Sequence, residues 1–305
     1  MSSPSTSKPA AADRDRGRGG QGSEGAKLAP GLYLVATPIG NLKDITLRAL
    51  ETLAAADLVL CEDTRVSAKL LRAHGLSPRL RPYHEHNAAR IRPQVIQSIK
   101  NGEAVALISD AGTPLVSDPG YKLVRACQEE ELPVTALPGP SAALAALLLS
   151  GLPSDRFFFA GFLPAKSAAR KTALSELAAV PGTLIFFESQ NRLAAALADM
   201  AETLGDREAA VLRELTKLFE EARRGRLSEL AARYAAEGPP KGEIAIAVAP
   251  PETDSAAPSE SELDSRLRDA LASGSLRDAV DRIAAETGLP RKRIYARALE
   301  LEKEK

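Results

Sequence analysis

LYLVATPIGN (residues 32–41), followed by ITLRALETLAAA (45–56), is the stretch whose reading decides the fold. Leu32 to Ala36 is a short apolar run, Thr37 to Asn41 holds turn-forming residues, and the segment beyond has helical spacing, so it reads strand, loop, helix. The alternation recurs. Asp57 to Cys61 (DLVLC), Ala104 to Ser109 (AVALIS) and Pro133 to Leu137 (PVTAL) read as strands, with helices over Arg65 to Ala73, Lys122 to Glu130 and from Ser141. Strands separated by helices imply parallel crossover units, hence an α/β domain over residues 28–151.

After Gly151-Leu152-Pro153, the segments Arg156 to Ala160, Thr183 to Phe187, Ala209 to Leu212 and Glu243 to Val248 read as strands of a second α/β domain, 152–250. Residues 251–261 are rich in Pro, Ser, Glu and Asp and read as a linker. Leu263 to Leu271, Leu276 to Thr287 and Arg291 to Glu302 then predict a small helical domain, 262–305. At the other end, residues 1–27 have almost no large apolar side chain to offset the entropy of ordering and read as a disordered tail. Its Arg14, Arg16 and Arg18 alternate with Asp13, Asp15 and glycines, which reads as a solvated segment, with contact to RNA as the alternative.

Composition narrows the function classes. The 305 residues are 44% hydrophobic, enough for a sizeable core, and 40 basic side chains balance 40 acidic ones. A net charge of zero argues against coating nucleic acid by bulk charge and leaves room for local basic patches; no DNA partner is expected. The two cysteines, Cys61 and Cys127, lie far apart, so neither a disulfide framework nor a metal cluster is expected and a reducing cytoplasm fits. The longest apolar run, Ala142 to Leu149, is too short to span a membrane and reads as the start of a buried helix.

Three loops at predicted strand ends carry Gly, Pro and short polar residues: TPIGN (37–41), SDAGTPLVSDPG (109–120) and LPGPSA (137–142). In open parallel sheets ligands lie outside such strand ends. None of the three matches the dinucleotide fingerprint or the phosphate loop with its Lys-Ser/Thr. Taken singly, each is also accounted for by ordinary turn chemistry.

With LCEDTR (60–65), YHEHN (83–87), AGFLP (160–164), FFES (186–189), RELTK (213–217) and KGEI (241–244), these motifs resemble the bacterial 16S ribosomal RNA cytidine 2′-O-methyltransferases of the tetrapyrrole methylase superfamily. The resemblance covers about residues 31–250, with a weaker match in the helical tail. It implies two α/β domains holding S-adenosylmethionine (SAM) in a cleft between them, a homodimer, and 16S rRNA within the small ribosomal subunit as substrate. Carried onto matching positions, the cofactor site uses Thr37, Pro38, Ile39, Gly40, Asp110, Ala111, Gly112, Thr113, Ser141 and Ala142. Gly40, Gly112 and Gly139 would let backbone approach the adenine and ribose. Asp110 would accept hydrogen bonds from the ammonium or the ribose hydroxyls; a helix cap or Asx turn accounts for it as well.

Methyl transfer from a sulfonium needs mainly positioning, and a group that takes the hydroxyl proton adds about 10²- to 10⁴-fold. The catalytic candidates are His84, Glu85, Glu188 and Lys217, with His86 and Glu214 beside them. Those expected to bind substrate are Asp63, Arg65, Tyr83, Asn87, Arg192, Arg291, Lys292 and Arg293, with Tyr83 as a stacking surface in the predicted loop 83–87. Capping roles explain His84 to Asn87 and Asp63 equally, and a solvated face paired with Glu300, Glu302 and Glu304 explains the basic run. Gln190 and Asn191 stand where the family form has a proline followed by a basic residue. The alternatives are SAM-dependent C-methylation of a cobalamin or sirohaem precursor, and a non-enzymatic ribosome-assembly module that keeps SAM as a structural ligand.

Overall fold

The computed structural model describes residues 27–116, 120–251, 260–287 and 289–303. The expected tail up to residue 26, with its three arginines, the centre of the linker (252–259) and part of the second loop (117–119) lie outside the described residues. The chain divides into two compact units, one of residues up to Pro38 plus Leu42–Gly139, the other of Ile39–Asn41 plus Pro140–Lys305.

In the first unit, β1 (Gly31–Val35), β2 (Leu58–Cys61), β3 (Leu80–Pro82), β4 (Ala104–Ile108) and β5 (Val134–Leu137) form a sheet in the order β3-β2-β4-β1-β5. Every pairing in it is parallel. The helices are α1 (Leu47–Ala55), α2 (Thr64–Ala73), α3 (Glu85–Lys100) and α4 (Tyr121–Glu129). Because side chains alternate along a strand, β4 serves two cores. Ala106 and Ile108 join Val35, Val59, Leu53 of α1 and Leu71 of α2, whereas Val105 and Leu107 join Leu32, Leu60, Val95 of α3 and Leu123 of α4. The connections leaving β1 and β2 therefore run over one face and those around β4 over the other. Such a reversal puts a topological switch point at the carboxyl ends of β2, β4 and β1, the place at which open α/β sheets bind ligands.

The second unit holds α5 (Ala142–Ser150), β6 (Phe157–Phe162), α6 (Ser167–Leu177), β7 (Thr183–Glu188), α7 (Leu193–Leu204), β8 (Glu208–Arg213), β9 (Glu221–Arg226), α8 (Leu227–Glu237) and β10 (Ile244–Val248). Its sheet order is β6-β7-β10-β8-β9, parallel only between β6 and β7. Leu174, Leu197, Met200 and Leu230 of α6, α7 and α8 pack on one face of it. On the opposite face lies α5, with Ala143, Ala146 and Leu147 against Ile185, Ala210, Leu212 and Ala245. This unit accordingly begins at Pro140, ahead of the expected 152, because α5 buries its small-residue face on the second sheet. Arg224 of β9 fixes the end of α5 by donating to the Ser150 carbonyl at 2.9 Å and to that of Leu149, carbonyls that a helix end leaves unsatisfied.

Beyond residue 259, α9 (Glu260–Ser273), α10 (Leu276–Thr287) and α11 (Arg291–Lys303) enclose a core of their own, in which Leu263 and Leu267 meet Val280, Ile283, Ile294 and Leu301. Arg297 Nε donates to Asp264 Oδ1 at 2.7 Å and clasps α11 to α9.

Candidate active-site loops

In the first unit the loops after β1 and β4 are joined by a two-way bridge: Thr37 N donates to Gly112 O at 2.9 Å, and Gly112 N to Thr37 O at 3.0 Å. Gly112 has φ +84°, a conformation in which a Cβ is strained. Thr37 is buried, and its Oγ1 donates to Ser109 O at 3.0 Å. Gly139 is also explained inside the unit, since a Cβ there would lie 2.8 Å from that of Ala36. Backbone conformation at Gly112 and loop packing at Gly139 thus already require glycine, whatever ligand approaches these loops.

The loop after β2 joins the same cluster. Asp63 N donates to Asp110 Oδ1 at 3.2 Å, while Asp110 Oδ2 has no hydrogen-bond partner among the described residues. Burial pushes the Asp110 carboxyl above its ordinary value. Asp63 caps α2, accepting from Arg65 N at 2.8 Å and pairing with Arg65 Nη2 at 2.7 Å. The Arg65 hydrogen bonds hold the Asp63 carboxyl down at about 2. Ala111 lies exposed beside Asp110, its N–H donating to Ser109 Oγ at 3.1 Å. Pro38 is buried and Thr113 half-buried.

The 83–87 segment differs from the predicted loop. His84 is the N-cap of α3, and Glu85, His86 and Asn87 form its first turn. Asn87 Oδ1 accepts from His84 N at 3.0 Å, and its amide donates to Pro82 O at 3.1 Å, so this side chain serves the helix start. Tyr83 is 1% exposed, packed with Leu60, Ile91 and Val95, which corrects its expected role as a stacking surface. Glu85 is exposed, and His84 keeps a buried Nδ1 without a partner among the described residues.

In the second unit Ile244 of β10 pairs with both Glu188 of β7 and Arg213 of β8, so these strand termini meet at one end of the sheet. The Glu188 side chain is 1% exposed; Oε1 takes Ser189 N and Arg192 Nη2, each at 2.6 Å. Its Oε2 is buried without a partner among the described residues, a costly state that needs a reason. Residues 190–192 form a 3₁₀ turn that carries Arg192 back onto Glu188.

Lys217 Nζ lies 2.8 Å from Glu214 Oε1 and 2.6 Å from Glu243 Oε2. Burial opposes its charge, but these two hydrogen bonds outweigh that and raise its pKa above the ordinary value, so Lys217 is a fixed cation and no proton acceptor at neutral pH. Glu214 (φ +52°) and Thr216 (φ +66°) hold left-handed conformations that cost about 1–3 kcal/mol each. The Thr216 hydroxyl is also buried without a partner among the described residues. Against this strained turn sits Gly40: a Cβ there would lie 2.5 Å from Lys217 Cγ and 2.8 Å from Thr216 Oγ1. Ile39 packs with Ala143 and Leu215, and Ser141 caps α5, with Ala142 as its first helical residue. Sequence reasoning missed Thr216 and Glu243; the KGEI motif was the available signal, since Gly242 gives the Glu214 carboxyl its place. Of the basic run, Arg291 pairs with Asp281 at 2.6 Å, whereas Lys292 and Arg293 have no ion pair among the described residues.

Over residues 31–231 the sequence matches the family described as tetrapyrrole (corrin/porphyrin) methylases, and over 257–302 the one described as RsmI C-terminal HTH domain. A ribosomal RNA small subunit methyltransferase I of Mesorhizobium japonicum is 56% identical over 275 residues, 90% of this chain and 93% of that protein. The protein so named in Erythrobacter litoralis is 54% identical over 274 residues, 90% of this chain and 96% of that one. Among solved structures, uroporphyrin-III C-methyl transferase from Thermus thermophilus, complexed with S-adenyl homocysteine, shares the fold: TM-score 0.50 at 22% identity, over 71% of this chain and 96% of that one. The chain belongs to the tetrapyrrole methylase family, in its ribosomal RNA small subunit methyltransferase I branch.

Proposed function

We propose that this protein transfers the methyl group of SAM to the ribose 2′-hydroxyl of a cytidine in 16S rRNA of the small ribosomal subunit, in the cytoplasm and as a homodimer. The observation that carries this reading is the extent of the match to the small-subunit enzymes. It takes in 275 of the 305 residues, too many to leave out the helical segment that follows the α/β region.

The residues present fit the cofactor. Asp110 is anchored by one oxygen and leaves the other as an acceptor beside the exposed Ala111, the chemistry that a ribose diol or an ammonium requires. SAM supplies an electrophilic methyl group on a sulfonium. In this reading Asp110 holds the cofactor, with Thr37, Pro38, Gly112 and Thr113 shaping the loops of the first unit; for Ile39, Gly40, Ser141 and Ala142 the cofactor role rests on the family resemblance alone. Lys217 is a fixed positive charge suited to a phosphate or to the developing alkoxide, and Glu188 keeps an unused acceptor for the hydroxyl proton. Asp63, Arg65 and Arg192, each tied to a local partner, position these groups; His84 and Glu85 at the start of α3 are the further substrate contacts. The homodimer draws support from Phe157, Phe158 and Phe162, exposed on the edge strand β6.

The test is incorporation of labelled methyl from SAM into purified small ribosomal subunits lacking the modification, with naked 16S rRNA and uroporphyrinogen III in parallel. Incorporation into subunits is expected. Incorporation into the macrocycle alone would replace this reading with tetrapyrrole C-methylation.

A further inference from the structure

The helices α10 and α11 border a cavity of about 570 Å³, lined by Leu276, Arg277, Val280, Arg291, Lys292 and Tyr295. Its chemistry is divided. Leu276 and Val280 give an apolar floor, Tyr295 presents a ring that is 47% exposed, and three cations stand around it. Of the acidic side chains of α10, Asp281 is paired with Arg291 at 2.6 Å, while Asp278 accepts from Ser275 Oγ at 2.6 Å and keeps its charge. Arg277 and Lys292 have no ion-pair partner among the described residues.

We propose that this cavity binds one unstacked nucleotide of single-stranded RNA, its base against the Tyr295 ring and the flanking phosphates on Arg277 and Lys292. The proposal rests on the rRNA reading above and gives the helical segment its own part in it. A concavity with an apolar floor and an aromatic wall suits a flat base that has left its stack, and uncompensated cations at its border suit the phosphates on either side. The deep, narrow major groove of A-form RNA hides base edges from side chains, so a pocket shaped for a base suits an unpaired nucleotide better than a duplex. Tyr295 lies outside the buried core of the three helices, so its ring is available to a ligand at little cost to the fold.

The test uses the full chain and a fluorescent oligocytidine, with binding read by anisotropy over a range of salt concentrations. Tyr295→Ala is expected to weaken binding about 10-fold and Tyr295→Phe to leave it unchanged, because the stacking face survives. Replacing both Arg277 and Lys292 by Gln is expected to reduce the slope of log affinity against log salt by about 1.4, two phosphates at about 0.7 each. Unchanged affinity in Tyr295→Ala, an unchanged slope in the double variant, or equally tight binding of duplex RNA would overturn the proposal. Calorimetric SAM affinity and thermal unfolding of each variant confirm that the fold is intact. Methyl transfer by the wild-type chain is a separate readout: its absence would defeat the rRNA reading, while anisotropy still decides whether this cavity binds RNA.

Discussion

The backbone amide of Asp63 and Oδ1 of Asp110 are 3.2 Å apart, and this hydrogen bond ties the loop after β2 to the loop after β4 at the point where the sheet's connections change face. The contact engages one oxygen of the Asp110 carboxylate and leaves the other without a hydrogen-bond partner among the described residues. Burial of that carboxylate disfavours its charge in the ligand-free chain.

Asp110→Asn is therefore expected to separate binding from stability. The amide oxygen can still accept from Asp63, but the negative charge is gone, and SAM affinity should fall at least about 10-fold by calorimetry, as for loss of a charge-assisted hydrogen bond. A raised carboxyl pKa contributes stability that is present below its unfolded value and is lost as pH rises through the folded value. At neutral pH the Asn variant should consequently melt no lower than the wild type.

The same shift sets a pH dependence for the cofactor. Only the ionised carboxylate attracts the cofactor's positive charge, so SAM affinity should decline as pH falls, with its midpoint above 3.8 in the wild type. This limb should be absent in Asp110→Asn. Calorimetric titrations between about pH 7 and pH 4 check it, since an ordinary Asp titrates near 3.9.

Gly40→Ala should destabilise the second unit by about 1–3 kcal/mol, the usual result of overpacking, because the new Cβ meets Lys217 Cγ and Thr216 Oγ1. In a Lys217→Ala background the added cost should be smaller, as one of the clashing atoms is gone. Thermal unfolding of the two single variants and the double variant measures the coupling.

Arg192→Ala should cost about 2 kcal/mol, less than for a fully buried pair because Arg192 is itself partly exposed. The loss comes from leaving the buried Glu188 carboxylate with Ser189 N as its remaining contact. Adding Glu188→Gln should restore much of that stability, and denaturant midpoints of the three variants decide the point.

Cys61 and Cys127 should resist iodoacetamide in the folded protein at neutral pH. Both are buried, and desolvation pushes the Cys127 thiol up to about 11 and the Cys61 thiol above its ordinary value. Mass spectrometry before and after denaturation reports the difference.

Strands with apolar alternation or continuous apolar runs, such as β1, β4 and β10, were legible in the sequence to within a residue at each end. β9 was not: EARRGR has no apolar face to read, and its place comes from pairing with β8 and from ion pairs such as Arg213–Glu221 at 3.1 Å. The second unit's early start was hidden for a related reason. AALAALLLS is apolar all round, so its pattern does not say which sheet it covers. At the candidate site, motif reading pointed to Asp110, Glu188 and Lys217 as positions to examine. It could not tell that Gly40 makes room for Lys217, or that Tyr83 is core, because both are consequences of packing between segments far apart in sequence.

The most direct measurement is nucleoside analysis of small ribosomal subunits after incubation with SAM and either wild-type protein or Asp110→Ala. The expected product is 2′-O-methylcytidine with the wild type and none with the variant. A base-methylated cytidine, or equal 2′-O-methylcytidine from both proteins, would contradict ribose methylation with a cofactor held by Asp110.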